Sequence, residues 1–93
     1  MTAGGTTLTI YSTTWCGDCI RLKSVLDRSG VVYRDIDIEH DVSAADFVVR
    51  VNQGNRSVPT VVFDDGTVMT EPSGRQVLQH LSGLRGSAAV DSA

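Results

Sequence analysis

The chain has 93 residues, is 41% hydrophobic and carries a formal net charge of −3 at pH 7. That is the size of one small domain with enough apolar content for a core. The composition excludes a basic patch of the kind that meets nucleic acid, and no run approaches the ~20 apolar residues of a membrane span. Residues 1–6 have neither a charged start nor an apolar core, so no signal peptide is expected. The chain has two cysteines, both in one motif. A reducing, cytoplasmic setting suits that usage better than secretion.

In chain order, residues 7–11 contain the β-prone run Leu8-Thr9-Ile10-Tyr11 and read as the first strand. A loop over 12–15 follows. Cys19, Leu22, Val25 and Leu26 then recur on one face, which predicts a helix over 16–29. Gly30 is its expected C′ residue, because glycine tolerates the left-handed conformation. Residues 31–38 are rich in β-branched side chains and form the second strand. Asp41 or Ser43 caps a second helix, in which Ala44, Phe47, Val48 and Val51 share a face, and Gly54 ends it. Strand three covers 60–63, Asp64-Asp65-Gly66 is a turn signal, and strand four covers 67–70. Pro72 precedes helix three, where Ser73 and Gln76 match a capping box and Val77, Leu78, Leu81 and Leu84 make the buried face.

The order βαβαββα predicts an α/β fold: a four-stranded mixed sheet flanked by three helices. Strands one and two are parallel with a right-handed crossover, and strands three and four are an antiparallel hairpin. A single domain spans 1–93, with an ordered core over about 7–84. Residues 85–93 are small and polar without periodicity, and read as a flexible tail.

Cys16-Gly17-Asp18-Cys19 stands where the first strand turns into the first helix. A Cys-x-x-Cys in that place reads as a redox dithiol. The first amides of a helix lack intrahelical partners and carry partial positive charge. A thiolate there is stabilised, so Cys16 is expected to titrate below the ~8.5 of a free thiol and to attack. Cys19 is one turn on, about 5–6 Å away between β-carbons, and can resolve the mixed disulfide that Cys16 forms. Two other readings weigh less. A structural bridge across so short a loop constrains the unfolded chain little. A zinc site wants four ligands, and His40 and His80 lack the close pairing with the cysteines that such sites show. Both histidines are expected on the surface.

The order of elements, Trp15-Cys16-x-x-Cys19, and Ser57-Val58-Pro59-Thr60 before strand three resemble a glutaredoxin of the thioredoxin superfamily over residues 7–84. Cys16-Gly17-Asp18-Cys19-Ile20-Arg21-Leu22-Lys23 is similar to that family's Cys-x-x-Cys-x-Arg-x-Lys. The resemblance implies a thioredoxin-like fold of glutaredoxin type and a cis Val58–Pro59 bond facing the nucleophile; by itself Pro59 also suits a trans proline opening a strand. The Val58 backbone would pair with an incoming disulfide as an added strand. Three features depart from the pattern of glutathione-using members. Thr13 replaces a lysine three residues before the nucleophile, Gly17-Asp18 replaces the usual Pro-Tyr between the cysteines, and Thr70-Glu71-Pro72-Ser73 replaces a Gly-Gly-x-Asp segment.

Trp15-Cys16-Gly17, Asp37-Ile38-Glu39-His40, Val51-Asn52, Gly54-Asn55-Arg56 and Asp65-Gly66 resemble the mycoredoxins, actinobacterial glutaredoxin-like proteins. That resemblance implies a thiol–disulfide oxidoreductase that reduces mixed disulfides between proteins and mycothiol, a sugar-based thiol. It implies no bound cofactor or metal. Mycothiol is the thiol cosubstrate, and a mycothiol disulfide reductase upstream uses NADPH. The chain would act as a monomer with mycothiolated proteins as partners. Cys16 and Cys19 form the catalytic pair and the redox-active disulfide, with Trp15, Arg56, Ser57, Val58 and Pro59 on the substrate. Trp15 either offers a flat apolar surface to the substrate or is a core aromatic under helix one. Arg21 and Lys23 either add positive field at Cys16, meet an anionic ligand or face solvent, and Asp18 either opposes the thiolate or points to water. Two other functions stay open: a thioredoxin-like dithiol donor reduced by thioredoxin reductase, and a module in which Cys16 helps hold an iron–sulfur cluster between two chains.

Overall fold

The computed structural model describes residues 8–92, with side chains described through Gly83. Its elements run β1 (Leu8–Ser12), α1 (Gly17–Arg28), β2 (Tyr33–Asp37), α2 (Val42–Val51), β3 (Thr60–Phe63), β4 (Val68–Thr70) and α3 (Gly74–Ser92). The strands lie in the order β2-β1-β3-β4. β1 pairs parallel to β2 with Leu8 opposite Tyr33, antiparallel to β3 with Leu8 opposite Phe63, and β3 pairs antiparallel to β4. This is the βαβαββα order and four-stranded mixed sheet that the sequence predicts.

Strand alternation sorts the core onto two faces. Leu8 and Ile10 of β1 and Val61 and Phe63 of β3 meet Leu22 and Leu26 of α1 and Val77 of α3 on one face. On the other face Tyr11 and Ile36 pack with Val48 and Ala44 of α2. Each fully buried aliphatic contributes about 1.5–3 kcal/mol.

The ends of α1 explain both the site and a short β2. At its C-terminal end the Gly30 N–H donates to Asp27 O at 3.2 Å and the Val31 N–H to Leu26 O at 3.0 Å. Those two bonds make a Schellman motif, with Gly30 at a φ of 74°. Val31 is thereby held by the helix end, and β2 begins at Tyr33 rather than at 31. Asp41 caps α2, its carboxylate accepting from the Ala44 N–H at 3.0 Å. The Ser73–Gln76 capping box forms in both directions, at 2.8 and 3.1 Å.

The end of α3 differs from the sequence reading. The helix continues to Ser92, past the expected boundary at residue 84. No proline follows Gly74, and Ala88 and Ala89 are strong helix formers, so the backbone runs on through Gly83 and Gly86. The side chain of Leu84 lies outside the described ones, and the strand residue Thr7 lies outside the described residues.

Candidate active site

Cys16 is the N-cap of α1, with extended backbone at φ −82° and ψ 113°. Its sulfur therefore sits over the first turn, where it accepts the Cys19 N–H at 3.1 Å. Cys16 is 9% exposed and Cys19 is fully buried, and both are free thiols. Burial is the main reason that the Cys19 thiol is pushed up to about 12. Its hydrogen bond with Cys16 adds to the rise, while the Thr13 backbone and the Lys23 charge oppose it. The pair is thus asymmetric: a nearly buried sulfur at a positive helix end, and a fully buried one that holds its proton.

The Val58 carbonyl faces the outer sulfur, with Cys16 Sγ 3.9 Å from Val58 O. The Val58–Pro59 bond is cis, as the resemblance implies. Pro59 is fully buried, and its carbonyl accepts the Glu71 N–H at 2.7 Å. The side chain of Val58 packs against the core cluster that includes Val48 of α2.

Trp15 is 69% exposed, so it is not a core aromatic. Its indole N–H donates to Glu39 Oε2 at 2.9 Å, which ties the residue before the nucleophile to the loop after β2. That loop is ordered from within. Asp37 accepts the Glu39 N–H at 2.9 Å and meets His40 Nδ1 at 2.8 Å. The backbone bond first, then His40, holds the Asp37 carboxyl below its usual range, and Asp37 raises His40.

The cations beside the dithiol are already paired. Arg21 bonds Asp18 on the same helix. Lys23 donates to Asp35 Oδ2 at 2.9 Å and to Ser12 Oγ at 3.3 Å, and Ser12 donates to Asp35 Oδ1 at 2.7 Å. Its side chain is only 21% exposed, which corrects the reading of Lys23 as a solvent-facing residue. Arg56 is exposed and forms no ion pair among the described residues. Thr13 is buried, and its hydroxyl lacks a partner among the described residues.

A groove of about 380 Å³ opens beside the first turn, between α1 and the start of α3, lined by Asp18, Arg21, Glu71, Ser73 and Gln76 among others. His80 lies elsewhere: it reaches Asp65 at 3.1 Å and packs tilted against Phe63, with ring centroids 4.3 Å apart. Sequence reasoning gave no role to Asn52, a buried residue behind the Val58 loop; an asparagine closing a predicted helix next to a Thr-bearing strand was the available signal.

The glutaredoxin family model matches residues 8–69. The chain belongs to the glutaredoxin family. It is 51% identical over 79 residues to a glutaredoxin-named protein of Mycobacterium tuberculosis, Rv3198A, covering 85% of this chain and 94% of that one. It is 43% identical over 77 residues to Mycoredoxin 1 of Corynebacterium glutamicum, covering 83% and 95%. Among solved structures, the thioredoxin-like protein BC3987 matches with a TM-score of 0.66 and 28% identity, covering 80% of this chain and 97% of that one. A glutaredoxin from Archaeoglobus fulgidus shares the fold at a TM-score of 0.63 and 24% identity, covering 82% and 86%. This glutaredoxin is therefore a disulfide oxidoreductase of the thioredoxin superfamily. Among the described residues no helix is long and apolar enough to cross a membrane.

Proposed function

We propose that this glutaredoxin reduces mixed disulfides between proteins and mycothiol. The observation that carries the proposal is the charge of the groove beside the dithiol. Asp18 and Glu71 set two carboxylates there against one guanidinium, Arg21, which Asp18 already holds. Glutathione brings two carboxylates of its own, and like charges at close range oppose it. A neutral thiol carrying sugar hydroxyls meets no such opposition, and Ser73 and Gln76 offer it polar partners. The 43% identity to Mycoredoxin 1 supports the same reading.

The chemistry runs through sulfur exchange. The Cys16 thiolate attacks the mycothiol sulfur of the mixed disulfide, and the protein cysteine leaves as its thiolate and takes a proton. A second mycothiol thiolate attacks the mycothiol carried on Cys16. It releases the Cys16 thiolate and mycothiol disulfide, which the upstream reductase returns to thiol at the expense of NADPH. Trp15 offers the exposed face beside this reaction, Arg56 and Ser57 flank the incoming substrate, and the Val58 backbone pairs with it. The protein acts as a cytoplasmic monomer, and its partners are mycothiolated proteins and that reductase.

The deciding experiment supplies mycothiol, glutathione or thioredoxin reductase separately, each with NADPH and any recycling enzyme it needs. The expected result is reduction of the oxidised protein by the mycothiol system. Reduction by thioredoxin reductase alone transfers the protein to the thioredoxin-like class. Within the glutathione arm, Glu71→Lys reverses the groove's balance and is expected to raise kcat/KM about threefold, the size of an exposed charge pair. An unchanged value would remove groove charge as the basis of selection.

Cys19 separates the two reaction types. Cys19→Ser keeps most of its turnover on a mycothiolated peptide, because Cys16 and free mycothiol complete that cycle. On a protein with an intramolecular disulfide it accumulates a covalent adduct, since the target stays bound to Cys16. Mass spectrometry reads the adduct as an increase that reductant reverses. Equal loss of both activities would make the dithiol route obligatory.

A further inference from the structure

Behind the Val58 loop lies a polar chain that the sulfur chemistry does not use. Asn52 is 8% exposed and caps the C-terminal end of α2. Both hydrogens of its carboxamide are engaged: Nδ2 donates to Val48 O at 2.8 Å and to Thr60 Oγ1 at 3.0 Å. Thr60 is fully buried and passes its own hydroxyl hydrogen to Ser57 O at 2.7 Å. The Asn52 Oδ1 accepts from the Thr70 hydroxyl at the end of β4. The donors all run one way, from Thr70 through Asn52 and Thr60 to Ser57, so each bond polarises the next.

Both ends of the loop trace back to this carboxamide. Ser57 O is fixed through Thr60, and the next carbonyl, that of Val58, is the one 3.9 Å from Cys16 Sγ. Downstream, Pro59 O is held by the Glu71 N–H at 2.7 Å. Glu71 directly follows Thr70 and takes a φ of 51°, uncommon for a residue with a side chain. A bond from Asn52 to Thr70 therefore steadies the strand end from which Glu71 reaches the loop. Nothing else among the described polar side chains joins α2, β3 and β4 behind the site.

We infer that Asn52 is a positioning residue for disulfide reduction: through Thr60 and Thr70 it sets the Ser57–Val58–Pro59 backbone against Cys16 at the place where a substrate disulfide docks. The inference rests on the reading of the Val58 backbone as the docking strand. Asn52 touches no reacting atom, so its effect falls on docking and not on the intrinsic reactivity of the sulfur.

The test uses the full chain, below the melting temperature of each variant, with Asn52→Ala, Thr60→Val and Thr60→Ser. Three quantities are measured: KM and kcat on a disulfide peptide, the rate of Cys16 alkylation by iodoacetamide, and hydrogen exchange at the Glu71 amide. In Asn52→Ala and Thr60→Val, KM rises about fivefold, the equivalent of one hydrogen bond. The Glu71 amide exchanges faster and the alkylation rate stays at that of the wild type. Thr60→Ser, which keeps the hydroxyl, restores the wild-type KM. Glu71 exchange unchanged in Asn52→Ala overturns the inference and leaves the docking reading standing. Faster exchange with an unchanged KM overturns the docking reading and the inference with it. Alkylation and turnover falling together shows a general loss of structure at Cys16 and also overturns it.

Discussion

Cys16→Ser lowers turnover on every disulfide substrate by about a thousandfold or more, the scale of losing a nucleophile. The residual thiol in that variant is Cys19, which is fully buried and pushed up to about 12. A buried thiol held above its ordinary range keeps its proton at pH 7, and the protonated form does not attack. Removing the Cys16 sulfur also removes two of the causes that raise Cys19, but burial, the largest, stays. Alkylation of the Cys16→Ser variant is therefore slow at neutral pH and climbs steeply with pH, because the thiolate is the reacting form and forms as protons leave. Cys19→Ser behaves oppositely. Its sulfur stands at the N-cap, accepts a backbone N–H and reacts readily near neutrality. Iodoacetamide rates across pH 6–10 in the two variants make the comparison. Faster labelling of Cys19 than of Cys16 near pH 7 would reverse the assignment of attacking and resolving sulfurs.

What the sequence revealed was local chemistry. The strand-to-helix dithiol, the Gly30 stop, the Ser73–Gln76 box and the strand at Thr60–Phe63 each rest on a few consecutive residues, and each stands in the structure as read. What it concealed was pairing across distance. Lys23, the single lysine of the chain, reads as a solvent-face residue until β2 brings Asp35 against it. Asn52, Thr60 and Thr70 are ordinary residues on three elements, and only the sheet order places them in one chain of hydrogen bonds. Trp15 next to a cysteine fits either a core or a platform, and its exposure decides between them. The end of α3 was hidden for another reason. Apolar periodicity marks helices that bury a face, and a segment of small residues carries no such mark even where its backbone is helical.

Gly74→Ala is the substitution outside the dithiol with the largest expected effect, and it acts on stability. Gly74 is the first residue of α3, where the helix crosses close to α1. A β-carbon there would stand 2.6 Å from Val25 Cγ1 and 2.7 Å from Val25 Cβ. A rotamer change relieves the first contact but not the second, because Cβ moves only with the backbone. The helices must separate, and overpacking of this kind costs about 1–3 kcal/mol. For a domain of this size each kcal/mol lowers Tm by about 4–8 °C. Alanine's better helix propensity counts for little at the first position, so the sign stays unfavourable. Val25→Ala in the same chain removes both γ-carbons and recovers part of the loss, giving a non-additive double-mutant cycle. Arg21 on α1 and Gln76 on α3 line the groove beside the dithiol, so separating the helices widens it. Gly74→Ala accordingly raises KM for the thiol cosubstrate while the alkylation rate of Cys16 is kept. Thermal unfolding of the single and double variants provides the check. A Tm equal to that of the wild type in Gly74→Ala would mean that α3 enters with more room than the Val25 contact allows.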